Sequence, residues 1–271
     1  MITNVKAIKT GKYTEFWIYK NPIEYGHKNV SQHSRTDSPK ASPEQLAQIS
    51  SKRATDKLRR LIIGNLYHYT EYKPVFLTLT TQENITDLSI ANNEFKLFIK
   101  RFNYKLGYNL KYIAVPEFQE RGAVHFHIII FNIPFIQVNV IREIWRNGEQ
   151  RNIDIRLINR GKKAFKYITK YISKTFIDIR FKNKKRYFWS LDVKPQRTLN
   201  SNNVAKLYSM LNSSDIINQY EFSIKNIKHE EINTAKKIEF LSITGNNKSH
   251  WDTDTKKKVT DSEGSEPIVP L

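Results

Sequence analysis

The chain has 271 residues, of which 45 are Lys or Arg and 26 are Asp or Glu, so its formal net charge is +19. This excess points to a polyanionic partner, most often nucleic acid, although genome bias can also raise the Lys, Asn and Ile content. No cysteine is present, which excludes disulfides, thiolate zinc sites and cysteine nucleophiles.

Neither a targeting signal nor a membrane span is visible in the sequence. Residues 1–16 lack the apolar core of a signal peptide, and no run approaches the roughly 18 apolar residues that a span requires. We therefore expect a soluble protein without membrane contact, located in the cytoplasm, most naturally that of a bacterial host.

The N-terminal part predicts one short strand and one helix. Residues 13–20 are rich in aromatic and β-branched side chains, which favours a strand. The segment from 26 to 57 is polar and contains Ser and Pro, so it predicts an exposed loop that leads into a basic helix. Apolar residues recur at helical spacing in residues 51–69 of this helix: Leu58, Leu61, Ile62 and Leu66.

From Pro74 onward, the pattern predicts a compact series of elements. Residues 75–81 predict a strand, and Asp87 is a suitable N-cap for a helix over 88–107. One face of that helix is apolar and consists of Leu88, Phe95, Phe98, Ile99 and Phe102.

An antiparallel hairpin follows, with strands at 110–118 and 123–131 joined by a turn at 119–122. The next predicted elements are a helix at 138–146, a strand at 152–158, a helix at 162–176 and a strand at 186–193. The order β-α-β-β-α-β-α-β predicts the α+β class, with helices packed against one face of an antiparallel sheet.

The signals weaken after Gln196, where a helix near 203–211 and a mixed stretch to about 243 are expected. No Walker-type phosphate loop is present, so no helicase or ATPase module is expected in the chain. The predicted organisation is an N-terminal extension with a polar loop (1–57), a central domain (58–195), an accessory segment (196–243) and a disordered tail (244–271).

His125 and His127 stand one residue apart in a predicted strand, so both side chains should lie on the same face of the sheet. A single histidine on an apolar strand is more often a hydrogen-bonded core residue, but two at this spacing favour a metal site. The hairpin brings Glu117 opposite the pair as a third ligand. Two nitrogens and one oxygen would leave coordination positions open for a substrate phosphate.

Residues 166–174 read KYITKYISK, which places Tyr167 and Tyr171 on one helical face and repeats Lys170 and Lys174 with the same offset. This pattern also suits an ordinary amphipathic helix with half-buried tyrosines. A tyrosine hydroxyl can, however, act as a nucleophile on phosphorus, and a nearby lysine favours the phenolate.

Together, the strand 75–81, the E-x7-H-x-H pattern ending at His127 and the repeated Y-x-x-K resemble the HUH endonuclease superfamily. The resemblance covers about residues 53–195 and is closest at 121–131, RGAVHFHIIIF. Within that superfamily the chain is similar to rolling-circle replication initiators (Rep proteins) of plasmids and small single-stranded DNA phages.

The resemblance implies a mechanism and partners. His125, His127 and Glu117 would hold Mg²⁺ or Mn²⁺, while Tyr171 or Tyr167 would attack one phosphodiester of single-stranded origin DNA. The products would be a 5′-phosphotyrosine link and a free 3′-hydroxyl for a host polymerase, with a host helicase as a further partner. Residues expected to contact the phosphate or the DNA are Lys170, Lys174, Arg121, Lys163 and Lys166.

Several alternatives remain open. Either tyrosine could be the sole nucleophile, although we favour a role for both. A relaxase or a single-strand transposase would use a similar metal site, but relaxases place the tyrosine before the histidines. A non-catalytic nucleic-acid-binding protein is the rival from another class, and it predicts exposed aromatic side chains on the central strands.

Overall fold

The computed structural model describes residues 2–24, 42–81, 84–146, 153–158, 178–181, 184–225 and 231–241. These ranges contain two five-stranded antiparallel sheets and four α-helices, which confirms the α+β class. The predicted helix at 162–176, the predicted tail at 244–271 and most of the predicted polar loop lie outside the described residues.

The described elements begin and end as follows. The strands are β1 (Ile2–Thr10), β2 (Tyr13–Glu24), β3 (Val75–Thr80), β4 (Tyr112–Phe118), β5 (Val124–Ile130), β6 (Ile153–Leu157), β7 (Phe188–Trp189), β8 (Gln196–Thr198), β9 (Ile216–Lys225) and β10 (Glu231–Leu241). The helices are α1 (Pro43–His68), α2 (Leu88–Leu106), α3 (Val138–Trp145) and α4 (Ser201–Ser209).

One sheet has the strand order β6-β3-β5-β4-β7, and we call it the histidine sheet because β5 carries His125 and His127. Helices α2 and α3 pack on one face of it through a large apolar cluster. Asp87 caps α2 as predicted, since its carboxylate accepts hydrogen bonds from the backbone N–H groups of Ser89 and Ile90 at 2.7 and 3.0 Å.

The prediction that helices cover one face only is wrong for α1, which packs on the opposite face of the histidine sheet. Leu58, Leu61, Ile62 and Leu66 of α1 contact buried residues of β3, β4 and β5, among them Phe76, Ile113 and Ile129. The periodicity identified the apolar face of α1 correctly, but it carried no information about which face of the sheet it covers.

The other sheet has the order β8-β1-β2-β10-β9, and we call it the terminal sheet because it joins both ends of the described chain. Its central pairing connects residues 13–19 of β2 with residues 235–241 of β10. The predicted short strand at 13–20 is therefore part of a longer strand. The mixed C-terminal stretch forms β9 and β10, and the predicted helix near 203–211 is α4.

Helix α1 lies between the two sheets, because the side of α1 away from the histidine sheet contacts the terminal sheet. Ile63 packs with Tyr13 and Leu241 there. Gly64 is the closest approach: a Cβ at this position would lie 2.4 Å from the carbonyl oxygen of Thr10. Only glycine permits this contact between α1 and β1.

The predicted strand at 186–193 is correct only for Phe188–Trp189, which form β7. Beyond β7 the chain turns, with the Val193 N–H donating to the Ser190 carbonyl at 3.1 Å, and Pro195 follows. The backbone therefore leaves the sheet after two paired residues. In the described residues no helix is long and apolar enough to cross a membrane.

Candidate metal and nuclease site

The hairpin of β4 and β5 positions the predicted ligands. Its turn is closed by the N–H of Gln119, which donates to the Ala123 carbonyl at 2.8 Å, and Gly122 adopts a positive φ of 88° there. The register pairs Glu117 with His125, as the sequence predicted from the hairpin. On the other side of β5, strand β3 pairs Thr80 with His125 and Thr78 with His127.

His125 and His127 lie on the same face of the sheet, which confirms the alternation argument. Phe126 and Ile128 between and after them are buried in the cluster beneath α2. The histidines instead face the α1 side, where the ring of His127 stacks on Phe76 with centroids 5.8 Å apart. Strand geometry therefore separates an apolar face from a polar one at this point.

Glu117 contacts His127 rather than its direct cross-strand partner. The Oε2 atom of Glu117 lies 2.6 Å from Nε2 of His127, and the side chains are 15% and 7% exposed. Nδ1 of the same ring lies 3.2 Å from the hydroxyl of Thr78. His127 is thus held on both ring nitrogens, which fixes its orientation.

His125 is held on one ring nitrogen only. Its Nδ1 lies 3.4 Å from the hydroxyl of Thr80, whereas its buried Nε2 has no hydrogen-bond partner among the described residues. Burial lowers the pKa of His125 to about 4, with further lowering by His127 and Arg121 that outweighs the opposing effect of Glu117. The imidazole is therefore neutral near pH 7, and a neutral imidazole can ligate a metal.

The donor set fits a divalent cation, although the side chains do not yet enclose one. Within the described ranges, no group of three His, Asp or Glu side chains is arranged to hold a metal ion, because Glu117 and His127 are hydrogen-bonded to each other. A partnerless buried nitrogen on His125 is costly unless a ligand satisfies it. The chemistry of Glu117, His125 and His127 suits Mg²⁺ or Mn²⁺ with open positions.

Thr78 and Thr80 are site residues whose role was missed from the sequence, where the strand was interpreted mainly as core. Both hydroxyls approach the Nδ1 atoms of the histidines. Partners of this kind orient imidazole ligands and set their tautomers. The available signal was the T-x-T spacing of β3, which matches the H-x-H spacing of β5.

The candidate nucleophiles Tyr167 and Tyr171 lie outside the described residues. The same holds for the four lysines expected near the phosphate or the DNA, which are Lys163, Lys166, Lys170 and Lys174. Their roles stay predictions. The chain on either side of this segment is placed at the histidine sheet, and its contacts bound where the segment begins and ends.

Ile158, just before the segment, is buried on the α1 side and its N–H donates to the Pro74 carbonyl at 2.8 Å. After the segment, Phe181 packs on Phe118 with centroids 5.0 Å apart, and Arg180 lies 4.1 Å over the same ring. Phe118 directly follows Glu117. The chain therefore leaves the segment next to the strand end that carries Glu117.

Arg121 is exposed in the hairpin turn and lies on the His125 side of it. Its guanidinium donates to the side chain of Gln119 at 2.8 Å and to the Thr81 carbonyl at 3.4 Å. Arg121 also contributes to lowering the pKa of His125, so its charge is felt at the site. This position suits the predicted contact with a phosphate.

Comparison with protein families gives one match. Residues 74–176 match the model of the family described as replication-associated protein, ORF2 type. Comparisons with curated proteins and with solved structures gave no significant match. The matched residues include Glu117, His125 and His127 as well as Tyr167 and Tyr171. This similarity supports a replication initiation protein of the Rep type, a class of protein that binds DNA.

Proposed function

We propose that the protein is a metal-dependent nicking and joining enzyme of the HUH type that acts on single-stranded origin DNA and starts rolling-circle replication. The observation that carries the proposal is the convergence of Glu117, His125 and His127 on one sheet face, with Nε2 of His125 lacking a partner among the described residues. The family match over the same residues supports it.

Glu117, His125 and His127 are the residues that would hold Mg²⁺ or Mn²⁺. The bound ion would supply Lewis acidity at the scissile phosphate. Thr78 and Thr80 keep the two imidazoles oriented from behind, at 3.2 and 3.4 Å from their Nδ1 atoms. Rigid positioning by three hydrogen-bonded strands keeps the reorganisation on substrate binding small.

The reaction is a transesterification. The hydroxyl oxygen of Tyr167 or Tyr171 forms a bond to phosphorus, and the bond from phosphorus to the 3′-oxygen breaks. The tyrosine loses its proton and the 3′-oxygen gains one, for which Lys170 and Lys174 are the candidate carriers. The 5′-phosphate stays on the tyrosine, so the bond energy is kept and joining needs no ATP.

Two tyrosines allow two such steps in succession. The first opens the origin and leaves a 3′-hydroxyl that a host polymerase extends behind a host helicase. The second tyrosine attacks at the end of the displaced strand, and the freed 3′-hydroxyl then reverses the first link. A Y-x-x-K repeat places both nucleophiles on one helical face, which suits this alternation.

The test is formation of a covalent protein–DNA adduct on a denaturing gel, with single-stranded oligonucleotides spanning the replicon's origin and Mn²⁺. We expect an adduct with the wild type and none in EDTA, in His125→Ala or in the double variant Tyr167→Phe/Tyr171→Phe. Tyr104→Phe is the matched control, because Tyr104 is a 92% exposed tyrosine of α2 away from the site.

The single variants Tyr167→Phe and Tyr171→Phe separate the one-tyrosine and two-tyrosine mechanisms. If both act, each single variant still forms an adduct but releases less circular product. An adduct that persists in EDTA, or wild-type adduct levels in the double variant, would overturn the proposal.

A further inference from the structure

We propose that the edge of the histidine sheet at β7 binds the bases of single-stranded DNA next to the cleavage position. The surface, which we call the edge platform, consists of Tyr187 and Trp189 with Lys111, Lys185 and Lys194 around them. The inference rests on the proposed function and adds a binding subsite to it.

The alternation of β7 sets the direction of the platform. Phe188 points into the core, where its ring lies 5.6 Å from that of Phe95 and 6.3 Å from that of Phe126. Its neighbours Tyr187 and Trp189 therefore point to the opposite face. Trp189 pairs with Ile113, which belongs to the cluster beneath α1. The platform thus lies on the same sheet face as Glu117, His125 and His127.

The two rings form a preorganised stacking surface. Tyr187 and Trp189 are stacked, with centroids 5.6 Å apart and planes 27° apart. Tyr187 is half-buried against the apolar cluster beneath α1, which fixes the lower ring. Trp189 remains 40% exposed. An exposed indole on a fixed ring suits stacking with an unpaired base, which presents a π-face whatever its sequence.

The charge around the platform favours a polyanion. Lys12, Lys111 and Lys194 lie close enough to His68, at the end of α1, that they add to the effect of burial in lowering its pKa. Lys111 also lies 4.9 Å over the ring of Tyr69. Between residues 184 and 194 the sequence has three lysines and one arginine against the single carboxylate of Asp192.

The distance to the candidate metal site fits one continuous strand of DNA. Ile113 and Glu117 lie four residues apart on β4, which corresponds to roughly 13 Å at 3.3 Å per residue. Helix α1 covers the centre of this face, so the path follows the β7 edge, past exposed Lys185, to Glu117. Bases stacked at the platform would belong to nucleotides a short way from the scissile phosphate.

The test is equilibrium binding of a fluorescein-labelled single-stranded origin oligonucleotide by fluorescence anisotropy, with EDTA present so that no cleavage occurs. We expect Trp189→Ala to weaken binding roughly 5- to 100-fold and Trp189→Phe to recover most of the loss. Tyr104→Ala, which removes a 92% exposed aromatic ring from α2, should leave binding unchanged.

Two further arms separate stacking and charge from a general loss of binding. Binding of duplex DNA of the same sequence should be insensitive to Trp189→Ala, because paired bases cannot stack on the ring. The double variant Lys185→Ala/Lys194→Ala should reduce the slope of log affinity against log salt by about 0.7 for each phosphate that is no longer neutralised. Thermal unfolding shows whether each variant is folded.

Unchanged single-strand binding in folded Trp189→Ala would overturn the inference, and so would equal losses for single-stranded and duplex DNA. The adduct assay reports on the proposed function separately. An adduct with no effect of Trp189→Ala would reject only the edge platform. Absence of any adduct together with a strong effect of Trp189→Ala would reject only the nicking chemistry.

Discussion

Both sheets turn a polar cluster toward α1, and the two clusters differ in how completely they are paired. In the terminal sheet, Glu15 is ion-paired with Arg59 at 2.6 Å and with Lys237 at 2.9 Å, and Arg60 approaches at 3.3 Å. Glu239 pairs with Arg59 and Lys237 as well. In the histidine sheet, Nε2 of His125 has no partner among the described residues.

This difference teaches how to separate a structural polar cluster from a binding site. Burying charge is costly unless the charges are paired and hydrogen-bonded, and the terminal sheet meets that condition with its own residues. It joins β2, β10 and α1, and therefore both ends of the described chain. The polar cluster of the histidine sheet is left unsatisfied internally, which is expected of a group whose partner comes from outside.

The largest expected effect comes from replacing the unsatisfied histidine. His125→Leu should lower adduct formation by roughly 10³-fold or more, because a ligand is lost. It should leave the free energy of unfolding unchanged or raise it by about 1 kcal/mol, because a buried nitrogen without a partner disappears. The rise in Tm on adding Mn²⁺, measured calorimetrically, should also be lost.

His127→Leu is the matched control within the pair. His127 contacts Glu117, Thr78 and Phe76, so its loss leaves a carboxylate and a hydroxyl without a partner and should cost about 1–3 kcal/mol of stability. If His125→Leu destabilised the fold as much as His127→Leu, the distinction between the two clusters would not hold.

The next effect concerns the terminal sheet. Glu15→Gln should lower the free energy of unfolding by about 3 kcal/mol, because Lys237 and Arg59 keep their buried charge and lose the carboxylate. Adduct formation per folded molecule should stay at the wild-type level. Urea unfolding measures the first quantity and the gel assay the second.

Glu221→Gln is the control for this change, since Glu221 is an exposed carboxylate on β9 of the same sheet. It should alter stability by less than about 0.5 kcal/mol. A fall in adduct formation by Glu15→Gln beyond the unfolded fraction would mean that the terminal sheet takes part in the chemistry.

The smallest effect is a pH dependence. Burial raises the pKa of Glu15, but Lys237, Arg59 and Arg60 outweigh burial and hold it below the ordinary value of 4.5. The ion pairs therefore contribute fully above pH 4.5, and their contribution is lost as the pH falls through the lowered pKa. Unfolding free energy measured from pH 6 downward should decline less steeply below pH 4.5 in Glu15→Gln than in wild type.

Glu221→Gln should follow the wild-type profile over the same range. A Glu15→Gln profile parallel to that of the wild type below pH 4.5 would show that Glu15 is not the group whose protonation weakens the terminal sheet.

Much of the histidine sheet could be predicted because its signals are local. Alternation placed His125 and His127 on one face, and the turn at 119–122 fixed the register that brings Glu117 opposite His125. Asp87 and the apolar stripe of α2 likewise defined a helix from adjacent residues. The end of β7 was missed because the turn after Trp189 depends on one hydrogen bond of Ser190.

The terminal sheet could not be predicted because its pairings are distant in sequence. Glu15 and Glu239 face each other only when β2 and β10 align, and nothing near either residue indicates the other. Their shared partner Arg59 was interpreted as part of a basic helix. A buried ion-pair network is invisible in the sequence, since each of its charges by itself resembles a solvated surface residue.

The sequence by itself determined the α+β class, the ligand-bearing hairpin and the chemistry that histidine, carboxylate and tyrosine residues at these spacings can perform, because strand and helix periods fix which side chains share a face. Only the tertiary structure decided that Glu117 reaches His127 rather than His125, that Thr78 and Thr80 orient the imidazoles, and that α1 lies between two sheets. Those outcomes depend on side-chain direction and on contacts between distant segments, which local periodicity does not contain.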